Sequence, residues 1–183
     1  MTDVGPEWIP DEDGVPSRQA ARLVLFDSEG RVLLVKGHDT HDLDHQWWFT
    51  PGGGLAPGEE PLAGAVRETN EETDLQVNPA LVAGPVAHRN AEFRFANITV
   101  RQEELFFLAW LDEPAPPLRH SGLTDLEKQT LDEFRWCTLD EVQDLARSET
   151  VYPNALPDLL RRWRAGWDGE LLELGQDEPH PGS

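Results

Sequence analysis

Cysteine is nearly absent from this chain: Cys137 stands alone among 183 residues. A single thiol excludes a disulfide framework and a multi-cysteine zinc site, and it fits a reducing compartment. Long apolar runs are missing too. No stretch approaches the roughly 20 consecutive apolar residues of a spanning helix, so no membrane segment is expected. The chain opens on Met1-Thr2-Asp3, acidic and without the basic start and apolar stretch of a signal peptide, which predicts a cytoplasmic protein. Positive charge is scarce. Against 35 Asp and Glu stand 15 Lys and Arg, a formal charge of −20 and a pI near 4.4. Such a surface repels nucleic acid polymers and anionic lipid, so neither is expected as a partner. An anionic small molecule would need a cation to mediate its approach.

What is present suits one domain. Hydrophobic residues make up 38% of the sequence, enough for a single sizeable core at this length. Residues 1–17 carry Gly5, Pro6, Pro10, Gly14 and Pro16 among acids and read as a flexible acidic arm, which Trp8 and Ile9 could dock. Ala20 to Phe26 and Arg31 to Lys36 read as strands joined by the turn Asp27-Ser28-Glu29-Gly30. A loop rich in His and Asp follows from Gly37 to His45, then a short strand at Trp47-Trp48-Phe49. Residues 60–73 predict a helix with Pro61 in its first turn. Leu75 to His88, Phe93 to Leu111 and Phe134 to Thr138 predict further strands, and Pro157 to Trp167 a last helix. The domain then spans 18–174, and 175–183 form a polar tail expected to fray. The mixture predicts either an α+β arrangement or an α/β/α sandwich.

Gly53 to Leu75 carries the chemistry. Gly53 is followed by five residues and Glu59, then seven residues and Arg67-Glu68, then Thr69, Asn70, Glu71-Glu72, Thr73, Asp74 and Leu75. This pattern resembles the signature of the Nudix hydrolase family (MutT-like), in which all six fixed Gly, Glu and Arg positions before the closing Gly match. Pro51-Gly52 and the Pro57-Gly58 turn are also family-like. Two positions depart. Thr69 stands for an apolar residue and keeps a methyl for packing. Asp74 stands for the closing Gly and must adopt the left-handed conformation that ends the helix, at a cost of about 1 kcal/mol.

The spacing has a physical reading of its own. On a helix Glu68, Glu71 and Glu72 occupy i, i+3 and i+4, so their carboxylates share one face. An isolated triplet of this kind in so acidic a chain is ordinarily a solvated helix face; the complete pattern around it favours a site. A divalent cation would convert the repulsion into ligation, and oxygen donors suit Mg²⁺, with Mn²⁺ an alternative. Leu62, Ala65, Val66 and Thr69 fall on another face at core spacing.

The resemblance implies the Nudix fold, an α/β/α sandwich on a mixed β-sheet, and Mg²⁺-dependent hydrolysis of a nucleoside diphosphate linked to another moiety. Nucleoside triphosphates, ADP-ribose-like nucleotide sugars and dinucleoside polyphosphates all remain open, and a homodimer is not excluded. It implies Glu68, Glu71, Glu72 and the Gly52 carbonyl as metal ligands, with Glu68, Glu72 and Arg67 as the catalytic set and Gly53 and Glu59 completing the box. Arg67 would orient Glu68 and Glu59. Glu68 is the base candidate inside the box, while Glu127, Asp132 and Glu133 are the downstream alternatives.

Trp48, for stacking on a base, and Arg94, for a phosphate, are the candidate substrate contacts. Arg89 and Arg101 share Arg94's scarcity value, Tyr152-Pro153-Asn154 could line the pocket, and Arg161, Arg162 and Arg164 read as a helix face. His38, His41 and His45 fit no zinc spacing and read as a hydrated loop at the mouth of the site. A nucleotide-sensing Nudix-fold module without catalysis is the alternative, although no box carboxylate is lost. An isopentenyl-diphosphate isomerase would need a cysteine near the box, and Cys137 is far from it.

Overall fold

The computed structural model describes residues 7–177. Within them the strands are β1 (Ile9–Pro10), β2 (Pro16–Phe26), β3 (Val32–Asp39), β4 (Asp42–Phe49), β5 (Gly52–Gly54), β6 (Ala83–Phe95), β7 (Ile98–Trp110), β8 (Leu131–Cys137) and β9 (Leu172–Leu174). The helices are α1 (Pro61–Thr73), α2 (Glu127–Thr130), α3 (Leu139–Ser148) and α4 (Leu156–Trp163). The strands form one mixed sheet in the order β4-β3-β2-β7-β6-β9, with β1 and β5 also paired to β2 and β8 to β3.

Apolar alternation in β2 explains the layers. Leu23 and Leu25 face one side, Val24 and Phe26 the other, and all four are fully buried. A strand apolar on both faces has to lie between two covering layers. Leu23 and Leu25 join Leu33, Phe107 and, from α1, Ala65 and Val66 in one core. Val24 and Phe26 join Trp48, Val142 of α3, and Leu160 and Trp163 of α4 in the other. The result is the expected α/β/α sandwich. Cys137 lies fully buried in the second core. No described helix is long and apolar enough to cross a membrane.

Several boundaries differ from expectation, each for a local reason. Residues 7–17 do not behave as a loose arm: Ile9 pairs with Ser17, Trp8 is buried beneath the Arg18 guanidinium, and Arg101 binds Asp11 at 2.8 Å and Asp13 at 2.7 Å. At the other end Gln176 Nε2 donates to the Asn90 carbonyl at 2.7 Å and Asp177 pairs with Arg89, so 175–177 are held rather than frayed. Residues 1–6 and 178–183 lie outside the described residues.

The stretch from Gly37 to His45 is no loop but the tip of the β3–β4 hairpin. β3 gains backbone partners on both edges, from β4 and β8, and Asp39 closes the turn by accepting from His41 N at 2.8 Å. The strand expected from Leu75 begins at Ala83, because the Asn78 side chain accepts from Ala80 N and starts a 3₁₀ turn over Pro79–Leu81. The last helix ends at Trp163 rather than Trp167, short of Gly166 with its φ of +128°.

Candidate metal-binding cleft

Helix α1 begins at Pro61, whose missing N–H costs nothing there, and ends at Asp74 in the left-handed conformation, φ 57° and ψ 12°. Thr69 is fully buried, and its hydroxyl donates to the Ala65 carbonyl at 2.8 Å, so the polar atom is absorbed within the helix. The other face meets the glycine loop. The register Arg22–Gly52, Ala21–Gly53, Ala20–Gly54 lays β5 against β2 and beside the helix. Glu72 Oε2 accepts the Gly52 N–H at 3.0 Å. Gly52 has φ +133°, and a Cβ there would stand 2.2 Å from the Ala21 carbonyl oxygen. At Gly53 a Cβ would sit 2.7 Å from the Glu68 carboxyl carbon. Glycine at both positions is what lets the backbone reach the carboxylates.

Arg67 organises the acids. Its Nε and Nη2 grip Glu59 at 2.7 and 2.8 Å, and Nη1 reaches Glu68 at 2.8 Å and Glu71 at 3.0 Å. The Arg67 hydrogen bonds hold Glu59 well below the usual carboxylate range, at about 2. Burial works the other way on the next two. It raises Glu68 above its ordinary value, and it pushes Glu72, 2% exposed, up to about 8. Glu71 is half exposed. Burial without a full counter-charge therefore disfavours ionised carboxylates where α1 meets the loop. Among the described residues no three His, Cys, Asp or Glu side chains already stand in metal-ligand geometry. Arg67 draws Glu68 and Glu71 toward itself, and Arg22 Nη1 donates to the Gly52 carbonyl at 2.7 Å.

Arg22 was not among the expected site residues. Its Nε also donates to Glu104 at 3.0 Å; Glu104 in turn binds Arg89 Nη2 at 2.5 Å and Gln102 Nε2 at 2.7 Å. Burial opposes the Glu104 charge, yet Arg89 and Arg22 keep its carboxyl below the ordinary value. These side chains form the floor of a cleft of about 1600 Å³. The signal for Arg22 was an arginine inside the apolar run Ala20 to Phe26; its partner at Gly52 is visible only through strand register.

The other expected residues separate cleanly. Glu127 lines the cleft, and its charge helps raise both Glu68 and Glu72. Asp132 instead faces His38 Nδ1 at 2.8 Å, and Glu133 is exposed opposite Lys36 on β3; neither lines the cleft. Trp48 is corrected to a core residue: it is 1% exposed, and its indole donates to Glu149 at 2.9 Å. Strand alternation turns its neighbours Trp47 and Phe49 to the cleft instead. Arg94 lines the rim near the β6–β7 turn and donates to the Asn97 carbonyl at 3.3 Å. Tyr152 and Pro153 also line the cleft. Arg161 and Arg162 pair with acids on the surface, apart from it.

With this geometry in place, comparison with known proteins is decisive. The NUDIX domain model matches residues 16–159. The chain belongs to the Nudix family.

Within that family it is similar to the RNA pyrophosphohydrolase of Bartonella quintana, 37% identical over 67 residues, which cover 34% of this chain and 38% of that protein. It is also similar to mouse diphosphoinositol polyphosphate phosphohydrolase 2, 38% identical over 66 residues, covering 36% and 35% of the two chains. The matches thus span less than two fifths of these relatives. A Nudix hydrolase structure from Alicyclobacillus acidocaldarius aligns over 82% of this chain and 93% of its own, with a TM-score of 0.57 and 17% identity. A C. elegans Ap4A hydrolase complex aligns over 81% and 96%, with a TM-score of 0.51 and 20% identity. These two likenesses show the shared Nudix fold.

Proposed function

We propose that this Nudix chain is a metal-dependent hydrolase that splits a diphosphate linkage in a nucleoside diphosphate derivative, with water attacking phosphorus. One observation carries the reading: the carboxylates of Glu68, Glu71 and Glu72 meet the Gly52–Gly54 loop in a single cleft, with Glu72 buried and its carboxyl pushed up to about 8. That donor set fits a hard divalent cation. It is all oxygen, and a cation would supply the counter-charge that its buried carboxyls lack. Glu68, Glu71, Glu72 and the Gly52 carbonyl would hold the ion, and Arg22 would give up that carbonyl as it does so. Bound Mg²⁺, or Mn²⁺, supplies neutralisation of the diphosphate and a water of lowered pKa.

The chain's own groups do the rest. Arg67 fixes the rotamers of Glu68 and Glu71 through a shared guanidinium. Either Glu68, the base candidate within the box, or Glu127, which lines the cleft from beyond it, accepts the proton of the attacking water. Trp47 and Phe49 offer flat apolar surface to a base, and Arg22 Nη1, released from the carbonyl while Nε stays on Glu104, can donate to a phosphate oxygen. The box offers no side-chain nucleophile: Thr69 and Thr73 both spend their hydroxyls on helix carbonyls, at 2.8 and 2.5 Å.

The test is a substrate panel with Mg²⁺ in ¹⁸O-labelled water, scored for phosphate or pyrophosphate release. Nucleoside triphosphates, ADP-ribose, dinucleoside polyphosphates, RNA and a diphosphoinositol polyphosphate cover the open classes. Label on a phosphate product after one turnover supports the reading; label on a sugar hydroxyl rejects it. The net charge of −20 favours the small substrates over RNA. A location in the cytoplasm fits the lone buried thiol.

A further inference from the structure

The box closes on Asp74 rather than glycine, and the structure shows what the aspartate touches. Ser121 Oγ donates to Asp74 Oδ1 at 2.6 Å. Around that contact the segment 119–122 covers the whole C-terminal end of α1. Arg119 N donates to the Thr73 carbonyl at 3.0 Å, and His120 Nδ1 meets the Glu72 carbonyl at 2.7 Å. Gly122 lies so close that a Cβ would be 2.5 Å from the Glu71 carbonyl oxygen. The last carbonyls of a helix lack partners within it, and here two successive backbone acceptors and one side-chain acceptor are taken by three successive residues. His120 also stacks on Phe134 of β8, with ring centroids 4.2 Å apart, which seats the same segment on the sheet.

The segment leads directly to an acid in the cleft. Two residues past Gly122, Thr124 N and Oγ1 both donate to Glu127 Oε2 at 2.7 Å, and Glu127 lines the cleft with Glu68 and Glu72. A glycine at position 74 would adopt the left-handed turn more easily but would offer Ser121 no acceptor.

We propose that Asp74 is a positioning residue: by docking segment 119–122 onto the end of the box helix, it sets where Glu127 stands relative to Glu68 and Glu72. The kinetic half of this rests on the hydrolase reading above with Glu127 as its base; the docking itself is independent of any activity.

Asp74→Gly tests it without threatening the fold, because glycine relieves the left-handed strain while deleting the acceptor. Asp74→Asn keeps an acceptor oxygen. The measurements are amide hydrogen exchange on the whole protein, Tm, and kcat and KM on whichever panel substrate is hydrolysed. In Asp74→Gly we expect faster exchange over 119–130, unchanged protection of α1 and no large fall in Tm. We expect kcat to drop roughly 10- to 100-fold, the range for a displaced catalytic group, with KM within about twofold. Asp74→Asn should restore both properties.

The double variant Asp74→Gly, Glu127→Gln should be no slower than Glu127→Gln alone, since both changes act on one group. Unchanged exchange in Asp74→Gly would overturn the docking role. A wild-type kcat in Asp74→Gly, or losses that multiply in full in the double variant, would overturn the positioning of Glu127. If no substrate is turned over while 119–130 still loosens, the docking stands and it is the hydrolase reading that fails.

Discussion

Glu72 Oε2 accepts the Gly52 N–H at 3.0 Å. The contact joins the last box glutamate of α1 to a loop twenty positions earlier, and it fixes both partners of the candidate ion site at once. Arg22 holds the carbonyl of the same glycine, so Gly52 is tied through its N–H to the box helix and through its carbonyl to β2.

That arrangement predicts how the protein responds to metal. Mg²⁺ or Mn²⁺ should raise Tm in the wild type, because a ligand that prefers the folded state stabilises it. In Glu72→Gln the metal-free Tm should stay close to wild type, since a neutral amide suits a site where burial already favours the neutral acid. Most of the metal-induced rise should vanish. An undiminished rise in the variant, read by thermal denaturation, would remove Glu72 from the ligand set.

The acids beyond the box separate by where they point. Glu127→Gln or Glu68→Gln should lower kcat by roughly 10²–10⁴, whichever is the base. Asp132→Asn and Glu133→Gln should leave kcat within about threefold, because neither side chain lines the cleft. Steady-state kinetics on the four variants decides the assignment, and a large loss in Asp132→Asn or Glu133→Gln would contradict the geometry.

Acid stability should report the Arg67–Glu59 pair. The folded carboxyl of Glu59 sits at about 2, below the unfolded value of about 4.5, chiefly through the Arg67 hydrogen bonds. A depressed pKa contributes stability that is full above the unfolded value and is lost as pH falls toward the folded one. Allowing for solvent at the partly exposed guanidinium, the gain is of order 1–3 kcal/mol. Urea denaturation should show the wild-type advantage over Glu59→Gln at pH 6 shrinking as pH approaches 2. A constant difference across that window would show that charge has no part in it.

The two adjacent tryptophans should give opposite phenotypes. Trp48→Ala empties a fully enclosed core position and should cost about 3–5 kcal/mol in stability. Trp47→Ala should leave Tm nearly unchanged and raise KM for a substrate bearing a base by roughly tenfold, the size of one lost stacking contact. A KM effect confined to a folded Trp48 variant would reverse the assignment.

The box was legible in the sequence because it is local. Glycine, carboxylate and arginine positions are separated by fixed counts of residues along one loop and one helix, and helical periodicity alone puts Glu68, Glu71 and Glu72 on a shared face. The sandwich was legible only through the family resemblance that the box carries: the apolar runs by themselves left an α+β arrangement and an α/β/α sandwich both open, and the cover on both sides of Leu23 to Phe26 came with the tertiary structure. The cleft around the box was not legible, because strand register and loop docking created it. Arg22 reaches the Gly52 carbonyl only once β5 lies against β2 in one register, and a slip of a single residue would turn its side chain to the opposite face. Adjacent residues of a strand face opposite ways, so Trp47 and Trp48 could not both turn inward, but only the pairing of β4 with β3 decided that Trp48 is the one that does. Asp74 read as mild strain until Ser121 arrived from 47 positions away. Short-range spacing determines which groups a segment can present, and long-range burial, which trades water for protein partners, decides which of them face one another.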